Sequence, residues 1–436
     1  MNSKLSKILE LIKNKQLILA ENECLKLLKE NINNHEYYNI YSIVCFQLEK
    51  YDLAIKNWQK AIQIKPNYFV GYNNIGKAFL NLNKYQSALE NFNKTIEINP
   101  NFFEAYNNKG NVLTRLNKPN DAIENYNKAI NLKPDNINSH IFKAHILSNL
   151  NKTEEALSSY EKAFKINPEY PLLFGHIMNI KSQICDWKNF SENLQKLSSN
   201  IDKNKITMLP FNSLVLFDSP SLQKKVSEVW SRRYEISVTQ TNTFAKINKK
   251  GKIKLGYFTA DFRDHATSHL TAEMFEKHDK SKFEIYGFYL GEKVSQNDTW
   301  HQRLKKSFNK FFSVNDMSDL EVSKLAMDLK IDIAIDLMTH CTNGMKNRFG
   351  IFVRRCAPVQ INFLGYPGTS GSTSIDYIIA DKMVIPEINK KYYSEKIIYL
   401  PNSYQPNSKN IQISKKNFLR EDLGLPKNKF ILCCFN

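Results

Sequence analysis

Residues 67–100 read NYFVGYNNIGKAFLNLNKYQSALENFNKTIEINP, and their frame repeats along the chain. Pro100 closes the stretch, and Pro66, Pro134 and Pro168 stand at the same 34-residue interval. An aromatic or His recurs as Tyr38, Tyr72, Tyr106 and His140, followed four residues later by Ser42, Gly76, Gly110 and Ala144. Further along come Ala54, Ala88, Ala122 and Ala156, then the rings of Trp58, Phe92, Tyr126 and Tyr160, then Ala61, Thr95, Ala129 and Ala163. Small residues let two antiparallel helices approach, the rings fill the gap, and proline ends the second helix because it has no N–H to continue the ladder.

This frame is the tetratricopeptide pattern. Four repeats match over about residues 35–170, residues 1–34 read as a degenerate one with Ala20 in register, and a helix after Pro171 is expected to cover the end of the stack. Such arrays bind more often than they catalyse. Asn74 and Asn108 hold one groove-facing slot in successive repeats, where side-chain amides can bond a peptide backbone; Ile40 and Phe142 hold it in the flanking repeats. Any chemistry is sought downstream.

At 436 residues the chain has room for two or three domains. We expect an array with a capping helix over 1–185, a helical connector over 186–250, an α/β lobe over 251–415, and the start of a second lobe over 416–436. No apolar run approaches the roughly 18 residues a bilayer span needs, and the first residues show no secretory pattern. Seven scattered cysteines give neither a disulfide framework nor a C-x-x-C pair, which fits a reducing cytoplasm. The net charge of +18 comes from lysines dispersed among asparagines, with no run of five basic residues and no nucleic-acid motif. It reads as a solvated surface that also suits a phosphate-bearing cosubstrate.

From Lys252 short β-rich runs (253–259, 283–290, 311–314, 331–337, 359–364 and 377–380) alternate with helical stretches such as 318–329. That alternation predicts a parallel, doubly wound, Rossmann-like sheet, with ligands beyond the carboxyl ends of its strands. Three loops there carry polar chemistry. The first, Asp261 to Leu270, holds His265 and His269, four residues apart and expected on one helix face. No third ligand for a metal is evident. A histidine at a strand end can serve as a general base; both can equally cap the helix. The second, Met338 to Gly344, offers the hydroxyls of Thr339 and Thr342 to a sugar, or is a polar turn. The third, Leu364-Gly365-Tyr366-Pro367-Gly368-Thr369-Ser370-Gly371, is neither a P-loop nor a G-x-G-x-x-G turn. Its glycines permit close backbone approach to a ligand.

Together, Asp261–Leu270, Arg354–Gln360 (RRCAPVQ), Leu364–Gly371, Ile375–Asp381 (IDYIIAD), Tyr393–Pro401 (YSEKIIYLP) and Tyr404-Gln405-Pro406 resemble the O-GlcNAc transferase/SPINDLY family of protein glycosyltransferases. The resemblance implies a GT-B fold whose first lobe follows the solenoid. It implies metal-free, inverting transfer of GlcNAc from UDP-GlcNAc to Ser or Thr of acceptor proteins held by the repeats. It matches His265 to a proton acceptor, and Leu364, Gly365, Tyr366 and Pro367 to the sugar pocket, with Gly368 and Thr369 continuing it. Asn74 and Asn108 match groove asparagines, and the sugar-contacting Thr corresponds to Thr339 or Thr342. Ala266 and Cys356 stand where the family commonly has Pro. The run 429–436 resembles the first strand of the second lobe, so the 436 residues are expected to lack the nucleotide-binding lobe and to be inactive alone. Transfer from GDP-fucose or UDP-glucose, and a non-catalytic scaffold, are the alternative readings.

Overall fold

The computed structural model describes residues 3–236, 242, 244, 251–341, 348–409 and 416–431. The chain forms two compact units. One comprises the residues up to 236 together with 368–372; the other comprises the sheet and its helices.

The first unit is a run of helical hairpins: α1 (Ser3–Lys13), α2 (Leu17–Glu30), α3 (His35–Gln47), α4 (Tyr51–Ile64), α5 (Phe69–Asn81), α6 (Tyr85–Ile98), α7 (Phe103–Arg115), α8 (Pro119–Leu132), α9 (Ile137–Asn149), α10 (Thr153–Ile166), α11 (Leu173–Gln183) and α12 (Phe190–Asp202). Two more helices, α13 (Pro210–Leu216) and α14 (Pro220–Ile236), complete it. The register alanines do what their size suggests. Ala54, Ala88, Ala122 and Ala156 are fully buried, and beside them lie the buried rings of Trp58, Phe92, Tyr126 and Tyr160. The polar ends of two rings are satisfied: Trp58 Nε1 donates to Asn39 Oδ1 at 3.0 Å and the Tyr126 hydroxyl to Asn111 Oδ1 at 2.8 Å.

Each second helix of the four proline-marked repeats stops for one reason. Lys65, Asn99, Lys133 and Asn167 precede the prolines and sit at φ −134° to −147°, because the proline ring forbids the helical region to the residue before it. Each first helix ends on a left-handed residue. Lys15, Glu49, Asn83, Asn117, Asn151 and Cys185 take φ of 56° to 60° at 34-residue spacing. The hinge therefore recurs one hairpin beyond the prolines at either end. The degenerate first repeat is the pair α1–α2, and the helix expected after Pro171 opens a further pair, α11–α12.

The second unit is a seven-stranded parallel sheet of order β3-β2-β1-β4-β5-β6-β7. Its strands are β1 (Ile253–Thr259), β2 (Phe283–Tyr289), β3 (Lys310–Ser313), β4 (Ile333–Asp336), β5 (Val359–Phe363), β6 (Tyr377–Ala380) and β7 (Lys396–Tyr399). Helices α15 (Ala266–Glu276), α16 (Thr299–Ser307), α17 (Asp319–Asp328) and α18 (Gly350–Val353) connect them. Both faces are covered, which is why the strands read as continuous apolar runs. Tyr257, Phe262, Phe275 and Phe308 fill one side, while Phe258 stacks on Phe288 at 4.2 Å and meets Phe352 at 5.4 Å on the other. Strand β7 is the element that the β-rich runs did not announce. The apolar run at 431–435 lies outside the described residues, apart from Ile431.

Candidate functional site

The strand order reverses between β1 and β4, and all strands run the same way, so the carboxyl ends of β1, β4 and β5 lie side by side at the switch point. Three of the sequence-predicted segments issue from that edge: 261–265, 338–341 and 364–367.

His265 stands at the amino end of α15 with extended backbone, φ −160° and ψ 152°. It is the helix cap, so it does not share a helical face with His269 as the four-residue spacing suggested. Its Nδ1 accepts from Thr267 N–H at 3.2 Å, and Asp261 Oδ2 lies 3.7 Å from the same nitrogen. In the neutral ring this cap places the proton on Nε2. The side chain is 38% exposed, so the ring remains open to a ligand. His269 instead stacks on Trp300 at 4.1 Å and bonds Asp264 at 2.7 Å. Asp261 is held from behind by Ser268, whose hydroxyl donates to its backbone carbonyl.

The β4 end is a polar knot buried inside protein. Asp336 closes the strand, and its Oδ1 accepts from Met338 N–H at 2.9 Å and Thr339 N–H at 3.0 Å. Burial raises its carboxyl to about 6 in spite of those donors. The turn forces Thr339 to φ 44°, an uncommon conformation for a branched residue. The Thr339 hydroxyl, 3% exposed, donates to Asn362 Oδ1 at 2.9 Å, and Asn362 Nδ2 donates to Tyr366 O at 3.1 Å. As held, the Thr339 hydroxyl braces β4 against β5; Thr342 lies outside the described residues. His340, buried, packs on Phe349 and Tyr366 at 5.0 and 5.3 Å. Cys341 follows, its thiol pushed up to about 12 by burial and by the nearby Asp261 and Asp336. Asp336, Asn362 and His340 were not singled out in the sequence. An aspartate ending an apolar strand was the available signal.

The glycine-rich segment divides. Gly365 N–H donates to Phe363 O at 3.0 Å around Leu364, whose φ is 74°. This is a three-residue turn of the strained kind. A side chain on Gly365 would meet Leu337 O at 2.0 Å. Tyr366 is 1% exposed, and Pro367 O accepts from the Tyr393 hydroxyl at 3.0 Å. Residues 368–372 group with the helical unit and are held on α14. A side chain on Gly371 (φ 66°) would meet Glu228 N at 2.3 Å, and Ser231 donates to Ser370 O at 2.6 Å. Thr369 is buried, and its hydroxyl accepts from Gly371 N–H at 3.2 Å. Gly365 and Gly371 thus each permit a close approach to protein backbone.

In the array, Asn74 and Asn108 are both partly exposed. Asn108 Nδ2 donates to Asn73 Oδ1 at 3.0 Å, tying one repeat to the one before; among the described residues Asn74 has no side-chain hydrogen bond. Among the described residues no group of three or more His, Cys, Asp or Glu could hold a metal, and no helix is long and apolar enough to cross a membrane.

Comparison with known proteins agrees with this architecture. The profile of glycosyl transferase family 41 matches residues 184–414, and tetratricopeptide profiles match 44–83, 69–102, 103–136 and 137–170. The chain belongs to glycosyl transferase family 41. Among curated relatives, it is 29% identical over 274 residues to the probable UDP-N-acetylglucosamine–peptide N-acetylglucosaminyltransferase SEC of Arabidopsis thaliana, covering 58% of this chain and 27% of that protein. It is 26% identical over 178 residues to the probable UDP-N-acetylglucosamine–peptide N-acetylglucosaminyltransferase SPINDLY of Solanum lycopersicum, covering 40% and 19%. The matched region thus spans about a quarter or less of the length of these relatives. A solved O-GlcNAc transferase mutant from Thermobaculum terrenum superposes with a TM-score of 0.53 at 20% identity, over 78% of this chain and 58% of that one, a likeness that shows the shared fold.

Proposed function

We propose that this chain supplies the acceptor-binding array and the first catalytic lobe of a protein O-linked N-acetylglucosaminyltransferase using UDP-GlcNAc. The observation that carries the proposal is the family 41 match over 184–414, joined to a tetratricopeptide array as in the resemblance drawn from the sequence. The strand ends at the switch point support it, since they gather His265, Asp261 and the 338–341 and 364–367 turns on one edge.

In the proposed reaction an acceptor hydroxyl attacks the anomeric carbon, the bond to the diphosphate breaks, and the hydroxyl proton must leave. In this reading His265 takes it. The ring as capped carries its proton on Nε2. If Nδ1 shifts from the Thr267 N–H to Asp261, now 3.7 Å away, the proton moves to Nδ1 and the exposed Nε2 becomes the acceptor. Leu364 to Pro367 and the 338–341 turn form the rigid floor beside it. The test is transfer of labelled GlcNAc to a Ser/Thr peptide by the polypeptide expressed from the gene's uninterrupted reading frame. Transfer from UDP-GlcNAc supports the proposal; transfer only from GDP-fucose or UDP-glucose, or from no donor, rejects it.

A further inference from the structure

A second 34-residue ladder runs along the array, and neither the fold nor the proposed chemistry uses it. Lys60, Lys94, Lys128 and Lys162 occupy one slot on α4, α6, α8 and α10, and all four are exposed. Each slot pairs with the position 22 residues earlier in its repeat: Tyr38, Tyr72, Tyr106 and His140. Lys60 Nζ lies 5.4 Å from the centre of the Tyr38 ring, and the phenols of Tyr72 and Tyr106 lie close enough to act on Lys94 and Lys128.

In the third and fourth repeats the ladder doubles. Lys109 on α7 and Lys143 on α9, again 34 residues apart, are partly buried, and each faces the ladder lysine 19 residues on, Lys128 or Lys162. Ile75 and Tyr41 hold that position in the earlier repeats. Burial first, and the neighbouring ammonium second, push both Lys109 and Lys143 below the ordinary lysine range. The carboxylates nearby are Glu124, Asp121 and Glu155, which act on these two lysines, and Glu97, which pairs with Lys94. Glu124 bonds Lys128 at 2.9 Å across an exposed helix turn, a pair worth little. Like charges held together at partly desolvated positions cost stability unless an anion answers them.

We infer that this stripe, most strongly Lys109, Lys128, Lys143 and Lys162, is a docking surface for an acidic polypeptide segment. Charge complementarity selects the sign of the partner. The fixed repeat spacing, with a tyrosine ring under Lys60 and phenols near Lys94 and Lys128, suits an extended chain carrying regularly spaced carboxylates. The inference concerns binding alone and stands apart from sugar transfer.

The test uses the 436-residue chain and fluorescence anisotropy of a labelled peptide of alternating Glu and Ser, at about 50 mM and about 300 mM salt. The Lys109→Gln/Lys128→Gln/Lys143→Gln/Lys162→Gln variant is expected to bind at least about tenfold more weakly at the lower salt. A control with the same charge change on the other unit, Lys280→Gln/Lys282→Gln/Lys305→Gln/Lys306→Gln, is expected to stay within about twofold of the parent. Because the substitutions remove repulsion, the helical melt should come no earlier. If it does, the exposed pair Lys128→Gln/Lys162→Gln alone is tested, with about threefold weakening expected. No binding by the parent, equal losses in the two sets, or tighter binding of a single-stranded oligonucleotide lost in the same variants overturns the inference.

Discussion

The solenoid and the sheet both rely on left-handed backbone at residues other than glycine, and they use it differently. In the solenoid it recurs every 34 residues from Lys15 to Cys185, ends a helix each time, and falls on asparagine at three of the six positions. In the sheet unit it ends helices in the same way at Lys330 and Arg355, but it also falls at Thr339 and Leu364, branched residues that tolerate it poorly, and both of these sit at strand ends on the candidate site. A repeated device is architecture. At Thr339 and Leu364 the same device sits on ill-suited residues at strand ends, where the surrounding buried contacts must hold the strain in place.

The largest effect expected from this contrast comes from adding one methyl group to each unit. In Gly365→Ala the new carbon collides with the backbone carbonyl of Leu337, which cannot swing away, so a loss of about 4 kcal/mol or more is expected, read as collapse of the sheet unit's near-ultraviolet signal. In Gly110→Ala the obstacle, 2.7 Å away, is the Tyr126 ring, which can shift, and about 1–2 kcal/mol is expected by urea titration. Equal losses would break the comparison.

The two units should also answer acid in opposite directions. His145 and His176 pack together at 5.1 Å and against Tyr160, and among the described residues His145 Nε2 is buried without a hydrogen-bond partner. Burial lowers the two rings to about 4 and about 3. Below the unfolded value of about 6.5 the unfolded chain takes up protons that the folded array refuses, so solenoid stability falls with pH through that window, by on the order of 5 kcal/mol. Thermal melts at pH 7 and pH 5 should show it, and His145→Gln/His176→Phe should flatten it.

Asp336 does the reverse. Its folded value, about 6, lies above the unfolded one, so its contribution is lost as pH rises from roughly 4 to 6, by about 3 kcal/mol at most. Asp336→Asn keeps the acceptor for the Met338 and Thr339 amides and removes the charge. It should therefore be more stable than the parent at pH 7, by about 2 kcal/mol, with the gap closing near pH 4. A destabilised variant at pH 7 would show that the charge itself is needed. The smallest effect is expected from Asn108→Ala, which removes an inter-repeat bond worth about 1 kcal/mol and leaves the melt nearly unchanged.

Legibility in the sequence followed the same division. The array could be read because identical physical tasks recur at one interval, down to the proline that closes each repeat. Six strands could be read because both faces of the sheet are covered and the runs are apolar. Strand β7 escaped because Lys396 to Tyr399 is a short edge strand, with Lys396 and Ile398 exposed to solvent. At the site the candidate residues were named in the sequence, but their structural surroundings were not. His265 caps a helix, a position sequence statistics give to Ser, Thr, Asn and Asp. Thr339 turned inward because Asn362, silent in the sequence, sits across from it. Gly365 and Gly371 were explained by neighbours far away in the chain, which spacing alone does not reveal.

The central claim is that His265 takes part in proton transfer as well as starting α15. Its most direct test is peptide glycosylation by the polypeptide expressed from the uninterrupted reading frame, comparing His265→Asn with the parent. Asparagine preserves the cap and cannot accept the proton, so turnover should fall by about a hundredfold or more with the melting temperature unchanged. Turnover equal to the parent's would reduce the imidazole to a helix cap and contradict the account.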